Sequence, residues 1–195
     1  MTPLTRVTGQ ALSLPQADID TDIIYPARFL LITERTGLGA FAFYDRRNDP
    51  AFPIAPDLRK VPPFLVAGPN FGCGSSREQA PWALDDLGVR VIIAESFGEI
   101  FYSNCFKNGM LPIRLDTETV TALHASATSG GRFTVDLLEQ RLRVDGLPPL
   151  AFDVAPAQRA ALLNGWSEIT RIQSLHGNDI ASFEAAQRRA MPWLW

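Results

Sequence analysis

The sequence has few cysteines, the residues that form disulfides and bind metal clusters. It contains two cysteines among 195 residues, Cys73 and Cys105, and neither belongs to the C-x-x-C pairs typical of zinc and iron–sulfur sites. Two cysteines are also too few for a disulfide scaffold. A chain of this length can bury a sizeable core, so we expect residues 1–195 to form a single domain that folds without metal or disulfide.

The chain also has a small net charge and lacks long hydrophobic runs. The formal net charge is −3, which gives no reason to expect nucleic acid or an anionic membrane as a partner. No apolar run approaches membrane-spanning length, and the N-terminal residues lack the basic segment and apolar core of a secretory signal. We therefore expect a soluble, cytoplasmic protein with reduced cysteines.

The middle of the chain alternates short apolar runs with helix-like segments. We predict strands at 7–14, 64–67, 89–94 and 111–115, and helices at 80–87 and 98–107. Strand, helix, strand, helix, strand implies parallel strands and an α/β layer. Ligands bind such sheets beyond the carboxyl ends of the strands. Residues 68–78, which directly follow one predicted strand, occupy that position.

The segments on either side are less regular. Residues of about 32–63 show no clear period and include five prolines between Pro50 and Pro63, which is typical of a mobile functional loop. Asp116 is a candidate N-cap for a helix over 117–127, and a β-hairpin is predicted next. A helical tail of about 156–195 closes the chain, with predicted helices at 157–163 and 178–189, the second capped by Asn178.

The stretch GPNFGCGSSREQAPWAL, residues 68–84, has the composition of an anion-binding turn. Ser75 and Glu78 match a capping box, but Pro81 favours a helix that begins nearer Gln79 and leaves an irregular turn with free N–H groups. Such a turn at a helix start favours negative charge, and Arg77 adds a fork that pairs with a carboxylate. No lysine follows the glycines as in a phosphate loop, so a carboxylate fits better than a nucleotide.

Other polar residues have ordinary structural interpretations. His124 and His176 lie in segments that resemble solvated helix or loop, which argues against a Ser-His-Asp hydrolase. The two cysteines are interpreted as packing residues. The three aspartates of DIDTD, Asp18, Asp20 and Asp22, leave a metal site open, although turn capping is the commoner role.

Several motifs together resemble a known family. Five stretches that span nearly the whole chain are similar to the small-subunit family of 3-isopropylmalate dehydratase. They are GPNFGCGSSREQAPWAL, DIDTDIIYPARFL, ERTGLGAFAFYDRR, VIIAESFGEIFYSNCFKNGMLPI and IASFEAAQRRAMPWL. That family is the stand-alone form of the swivelling domain of the aconitase superfamily. The resemblance implies an α/β fold, a swivelling β/β/α domain with a mainly parallel sheet layer, extra β segments and a helical C-terminal tail.

The resemblance also implies an activity that this chain cannot perform alone. It would be half of a hydro-lyase that interconverts 2-isopropylmalate and 3-isopropylmalate, small dicarboxylates, by dehydration and rehydration in leucine biosynthesis. A separate large subunit would carry a [4Fe–4S] cluster, and this chain would bind no cofactor or metal. Two alternatives stay open: a related hydro-lyase for methylmalate, dimethylmalate or homocitrate-type substrates, and a noncatalytic binding relative.

Site residues follow from the same resemblance. Ser75 would be the catalytic base in alkoxide form, Ser76 through its backbone N–H would bind substrate together with Arg77 and Arg35, and the supporting residues would be Asp22, Thr21, Gly74 and Gln79. A loop of about 32–53 would close over the substrate. The family usually reads S-S-R-E-H, and Gln79 stands at its fifth position. Glutamine cannot carry a proton charge near neutral pH, so an altered activity or substrate preference is one possible consequence.

Overall fold

The computed structural model describes residues 1–32, 34–55 and 61–195. Its strands are β1 (Arg6–Gly9), β2 (Ala11–Leu14), β3 (Phe64–Ala67), β4 (Val91–Ala94), β5 (Leu111–Arg114), β6 (Phe133–Asp136), β7 (Arg141–Val144) and β8 (Leu150–Ala151). Its α-helices are α1 (Thr21–Ile24), α2 (Gln79–Leu87), α3 (Glu99–Lys107), α4 (Thr117–Thr128), α5 (Pro156–Asn164) and α6 (Glu168–Ala190). Short 3₁₀ segments lie at Ala27–Phe29, Leu38–Ala40 and Pro192–Leu194.

The central layer is a parallel sheet in the order β2-β3-β4-β5, as the alternating pattern predicts. Both of its faces are covered, which is why β3 and β4 are apolar without interruption. Leu65 and Ile92 face the side of α2 and α3, whereas Phe64 and Val91 face the opposite side. The mainly parallel α/β layer is therefore confirmed.

The second layer is an antiparallel sheet in the order β1-β6-β7-β8. The predicted hairpin is confirmed by β6 and β7, which pair with Phe133 opposite Val144. The prediction of one strand over residues 7–14 is wrong, because β1 belongs to this sheet and β2 to the parallel one. Their apolar residues continue across the crossing at Gln10, so the periodicity alone does not reveal that the chain changes sheets.

The long segment before β3 contributes to the core. Leu38, Phe43 and Ile54 are fully or almost fully buried in the cluster that contains α2. The buried Arg47 donates hydrogen bonds to the carbonyls of Ala42 and Gly39, each at 2.6 Å. The described part of this segment is thus packed against the core rather than extended into solvent. Mobility over about 32–63 stays a prediction, and residues 33 and 56–60 of that loop lie outside the described residues.

The C-terminal helices begin and end differently from the predictions. α5 agrees closely with the predicted 157–163, but α6 begins at Glu168 rather than at Asn178. Ser167 caps α6 through a capping box with Thr170, so Asn178 is an interior residue. The helical dihedrals break at His176 (φ −127°), so two helical segments meet there, and the start predicted at Asn178 lies two residues after this break. The assignment of residues 1–195 to one domain stays a prediction.

Gly72 offers a test of how tightly the turn after β3 packs. Its φ is +71°, and a Cβ there would lie 2.2 Å from Cγ of the core residue Phe101. Gly146 has a similar φ of +77° but no neighbouring heavy atom within 4 Å. We expect Gly146→Ala to cost about 1 kcal/mol of unfolding free energy, and Gly72→Ala about 1–3 kcal/mol more, measured by urea denaturation. Equal costs would contradict the close contact.

His124 links the parallel sheet to α4 and predicts a pH dependence. Its Nδ1 lies 2.9 Å from the Ser13 hydroxyl, so the side chain is half-buried rather than at the surface as expected. Burial lowers the pKa of His124, opposed by the Ala67 carbonyl and the Glu95 carboxylate. Because the pKa is lower in the folded chain, folding is favoured above about pH 6.5, and that contribution is lost as pH falls below it.

We therefore expect the free energy of unfolding to decrease from pH 7.5 to 5.5, and His124→Gln to remove part of that decrease. Urea denaturation at several pH values measures it. The same substitution at His176, which is exposed on α6, serves as the matched control. Identical pH dependence in the two variants would show that His124 is not responsible.

Candidate active site

The glycine-rich turn leaves the parallel sheet at the carboxyl end of β3. Single bridges hold it between two neighbouring segments, Cys73 with Asp20 and Phe71 with Phe97. A Cβ on Gly98 would lie 2.4 Å from the Gly72 carbonyl oxygen, so glycine permits the close approach of these backbones. Gly74 has φ +89°, a left-handed conformation that reverses the chain just before Ser75.

The turn does not form the capping box that Ser75 and Glu78 suggest. α2 begins at Gln79, as Pro81 predicts, and the N-cap residue Glu78 makes no side-chain cap hydrogen bond. Among the described residues, none accepts a hydrogen bond from the backbone N–H groups of residues 74–78. The turn therefore presents several N–H donors at the start of a helix, as the sequence predicts.

Thr21 fixes the backbone next to Ser75. Its side chain is only 2% exposed, and its hydroxyl donates to the Ser75 carbonyl at 2.9 Å. Its backbone N–H donates to the Cys73 carbonyl at 3.0 Å. Ser75 and Ser76 are themselves exposed, and the Ser75 hydroxyl has no hydrogen-bond partner among the described residues. This hydroxyl is thus presented to whatever binds at the turn.

Arg77 is held in place by Asp22. One guanidinium nitrogen, Nη1, donates to the Asp22 carboxylate and lies 3.4 Å from the Tyr25 carbonyl. Asp22 also accepts the Ala27 N–H at 2.8 Å. Nη2 and Nε of Arg77 bind no other described residue, although the side chain is only 16% exposed. A carboxylate could therefore bind this second edge of the guanidinium in bidentate geometry.

The same contacts shift the ionisation of Asp22. The hydrogen bond from Arg77, followed by that from the Ala27 N–H, lowers the pKa of Asp22 below its ordinary value. The carboxylate is therefore charged at neutral pH and keeps the cation oriented. Sequence reasoning placed Asp22 and Arg77 together through the resemblance, but it missed Tyr25 and Ala27. Their contributions are backbone groups, for which the sequence carries no signal.

Arg35 is placed differently from the rest of the predicted site. It is exposed, and its guanidinium lies 4.2 Å from the centre of the Trp82 ring on α2. The Trp82 indole N–H donates to Asn108 at 2.8 Å, which fixes the ring. Arg35 also lines a cavity of about 550 Å³ together with Glu78. The structure thus joins Ser75, Thr21, Arg77 and Asp22, and it stacks Arg35 on Trp82.

The three aspartates have separate structural partners. Asp20 caps α1 by accepting the Ile23 N–H at 2.7 Å, and Asp18 accepts the Asn70 side-chain amide at 2.7 Å. Turn and helix capping, the commoner interpretation, is confirmed for Asp20. Within the described residues, no group of three or more His, Cys, Asp or Glu side chains is placed to hold a metal ion.

Cys73 lies in the turn itself, whereas Cys105 lies in the core of the fold. Burial raises the pKa of the Cys73 thiol, and the carboxylates of Asp20 and Asp18 raise it further. Cys105 is fully buried, which raises the pKa of its thiol well above the usual range. Both thiols therefore stay protonated at neutral pH, as packing residues do. Gln79 is the first residue of α2 and is partly buried.

Comparisons with known proteins identify the family of this chain. Residues 1–118 match the family described as the Aconitase C-terminal domain. The 3-isopropylmalate dehydratase small subunit of Rhodospirillum centenum is 45% identical over 99% of this chain and 98% of its own length. The chain belongs to this small-subunit family.

Two further relatives extend the family assignment. The 3-isopropylmalate dehydratase of Rhizopus niveus is 42% identical over 100% of this chain, which corresponds to 27% of the fungal protein. A crystal structure of 3-isopropylmalate dehydratase from Methanocaldococcus jannaschii has a TM-score of 0.69 at 27% identity and covers 92% of this chain and 99% of its own. The small-subunit family and its aconitase-type swivelling fold are thus supported by sequence and by structure.

No helix in the described part of this chain has the length and apolar character to cross a membrane.

The Asp22–Arg77 pair in this member of the small-subunit family can be tested by carboxyl NMR titration. We expect Arg77→Leu to raise the pKa of Asp22 toward its ordinary value, because the main cause of the lowering is removed. The pair favours folding above that ordinary value, and its contribution is lost as pH falls through the folded-state pKa. Since Asp22 is 56% exposed, the contribution should stay under about 1 kcal/mol.

The matched control is Arg28→Leu, which removes a second exposed ion pair. The Arg28 guanidinium lowers the pKa of Asp45, so this variant should raise the pKa of Asp45 and leave most of the Asp22 shift intact. An Asp22 pKa that is unchanged in Arg77→Leu would show that the pair does not form in solution.

Proposed function

We propose that this chain is the small subunit of a 3-isopropylmalate dehydratase, a hydro-lyase that interconverts 2- and 3-isopropylmalate in leucine biosynthesis. The observation that carries the proposal is the placement of the exposed Ser75 hydroxyl next to Arg77, whose orientation is fixed by Asp22. These groups lie in a turn with available N–H donors beyond the end of β3. The full-length similarity to a protein named as such a small subunit supports the same function.

The reaction needs three chemical contributions. A base must remove the proton from the carbon next to a carboxylate, cationic groups must stabilise the carboxylate as it gains charge, and a Lewis acid must assist the hydroxyl that leaves. The alkene that results then takes back water with the hydroxyl on the adjacent carbon. This chain supplies candidates for the first two contributions.

Arg77 fits the anion-binding role. Its second edge is available, it is largely buried, and a charge-assisted bidentate contact to a carboxylate is both strong and directional. The Ser76 N–H belongs to the set of turn donors that no described residue occupies. Together they would hold one carboxylate of the substrate and stabilise the charge that develops on it.

Ser75 fits the role of the base only in a closed site. A hydroxyl in contact with water and without a neighbouring base stays protonated near neutral pH. N–H donors around its oxygen would favour the alkoxide once water is excluded, and nothing in the described chain covers it. This chain is therefore proposed to be inactive alone and to depend on a partner that closes over the turn.

The residues of this chain do not fit the iron–sulfur cluster that the family implies. Three cysteine ligands are needed, and the sequence has two, of which Cys105 is fully buried in the core. We propose that the large subunit carries the cluster, which would supply the Lewis acid. The Rhizopus protein, in which this chain corresponds to 27% of the length, has room for both parts in one polypeptide. The free thiols of Cys73 and Cys105 fit a cytoplasmic location.

Arg35 is proposed as the second substrate-binding arginine, and the segment around it as the loop that closes. Its stacking on Trp82 is a contact of an exposed side chain worth about 0.5–1 kcal/mol, so little free energy opposes its release. Gln79, the first residue of α2, follows Arg77 by two positions and could only donate or accept hydrogen bonds there. Its effect would appear as a change in rate or in substrate preference.

Anaerobic co-expression with the large subunit tests the proposal. Alkene formation from 2- and 3-isopropylmalate is followed for the wild-type complex and for Ser75→Ala. We expect kcat to fall by about 10²–10⁴-fold in Ser75→Ala, because the base is lost while the hydroxyl makes no hydrogen bond that folding needs. The complex itself should form as in the wild type.

Ser129→Ala is the matched control, since it removes an exposed hydroxyl at the end of α4, in a different part of the fold. It should leave kcat unchanged. A Ser75→Ala complex with wild-type kcat would refute the base assignment. A wild-type complex that prefers methylmalate or dimethylmalate would move the function to a related hydro-lyase, and one inactive on all these acids would favour a noncatalytic relative.

A further inference from the structure

The C-terminal helix exposes an unusual amount of apolar surface. All 23 residues of α6 are described, and none of them is buried. Ile169, Ile172, Leu175 and Phe183 of this helix are 47–69% exposed, and Trp193 and Trp195 beyond it are 75% and 57% exposed. We call these six residues the tail stripe. Exposed apolar patches mark interaction sites in proteins.

The tail stripe has the spacing of a docking face. Residues 169, 172 and 175 recur at about the helical repeat before the break at His176, and Phe183 is an exposed apolar residue of the segment after it. A helix gains most of its stability from packing one apolar face, and α6 packs none of its residues into either core of the described chain. The face is therefore built to be covered by something else.

The base of the tail is fixed to the body close to the candidate active site. Leu162 of α5 is fully buried, and its carbonyl accepts the Leu4 N–H at 2.9 Å. Gly165 ends α5 with φ +66°, and a Cβ there would lie 2.5 Å from the Met1 carbonyl oxygen. The first turn of α6 then lines the same cavity as Arg35 and Glu78. The tail thus leaves the body on the side of the glycine-rich turn.

The charge of the tail argues against a membrane as the occupant. Residues 168–195 contain three arginines, three acidic residues and no lysine. Helices that lie on anionic membranes carry an excess of Lys and Arg on the polar face. A balanced polar face with an apolar stripe is instead typical of a helix that docks into a groove of a protein.

We propose that the tail stripe is a docking element for the large subunit, an inference that rests on the proposed function. A partner that closes over Ser75 must approach the side from which the tail projects. The Rhizopus protein, which has about three quarters of its length beyond the region matched here, aligns with 100% of this chain and so retains the tail as well. The large subunit would offer an apolar groove that receives Ile172 and Phe183.

The test uses full-length chains and two double variants with the same change of charge. Ile172→Glu/Phe183→Glu alters the tail stripe, and Ser174→Glu/Asn178→Glu alters exposed residues on the other side of α6. Affinity for the large subunit is measured by anaerobic biolayer interferometry. The kcat of the complex is measured separately, at a saturating concentration of the large subunit. Circular dichroism and thermal unfolding check the fold, which neither variant should change because no residue of α6 is buried.

We expect the stripe variant to raise Kd about tenfold or more, with a wild-type kcat once the complex is saturated. The control variant should keep Kd within about twofold of the wild type. Equal Kd for the stripe variant and the wild type overturns the proposal. If the stripe variant alters only self-association, seen by sedimentation, a second copy covers the stripe and the proposal is also overturned. Failure of the proposed function looks different, because the wild-type complex would then not interconvert 2- and 3-isopropylmalate, whatever the Kd of the stripe variant.

Discussion

The candidate site depends on the parallel pairing of β2 with β3. Because parallel strands end at the same edge of a sheet, the segments that follow them leave side by side. Their contact continues beyond the strands: the Gly72 N–H donates to the Ile19 carbonyl at 2.7 Å, and Thr21 binds the carbonyls of Cys73 and Ser75. Without this pairing, Asp22 and Arg77 would have no fixed relation, because they are 55 positions apart in the sequence.

The pairing of β2 with β3 also explains why the polar residues of the site have different roles. Thr21 is buried and directs backbone groups, whereas the Ser75 hydroxyl is exposed. Asp22 holds one edge of Arg77 and leaves the other available. An arginine fixed in this way loses little conformational freedom when a carboxylate binds, so more of the contact energy contributes to affinity. The site is thus pre-organised for an anion but not for proton transfer, which needs water to be excluded.

Much of the fold could be predicted from residue patterns, and the failures have physical causes. The parallel layer follows from the apolar runs of β3 and β4, and the start of α2 follows from Pro81. The crossing between sheets at Gln10 could not be predicted, because pairing partners far apart in sequence decide it. The prediction missed the part of α6 before His176, whereas its start at Asn178 lies just after the break in helical dihedrals at His176.

For the site, the candidate residues could be predicted better than their contacts. Its residue types and the resemblance identified Ser75, Arg77 and Asp22 as candidates, and the structure joins Arg77 to Asp22 in the turn that carries Ser75. Their catalytic and binding roles stay predictions. The stacking of Arg35 on Trp82 could not be read from the sequence, because a cation over a ring depends on the relative position of a loop and a helix.

The proposed function gives the exposed serine and the exposed tail stripe a common explanation. A chain that carries half of a site must leave its reactive turn open, so the free energy of closing it has to come from association with the other half. Burying apolar surface supplies such free energy without placing charges near the substrate. A tail that projects from the body beside the turn can add this contribution while Ser75, Ser76 and Arg77 remain free to contact the substrate alone. The proposed separation of the binding surface from the reactive turn is what the chemistry of a divided enzyme would require.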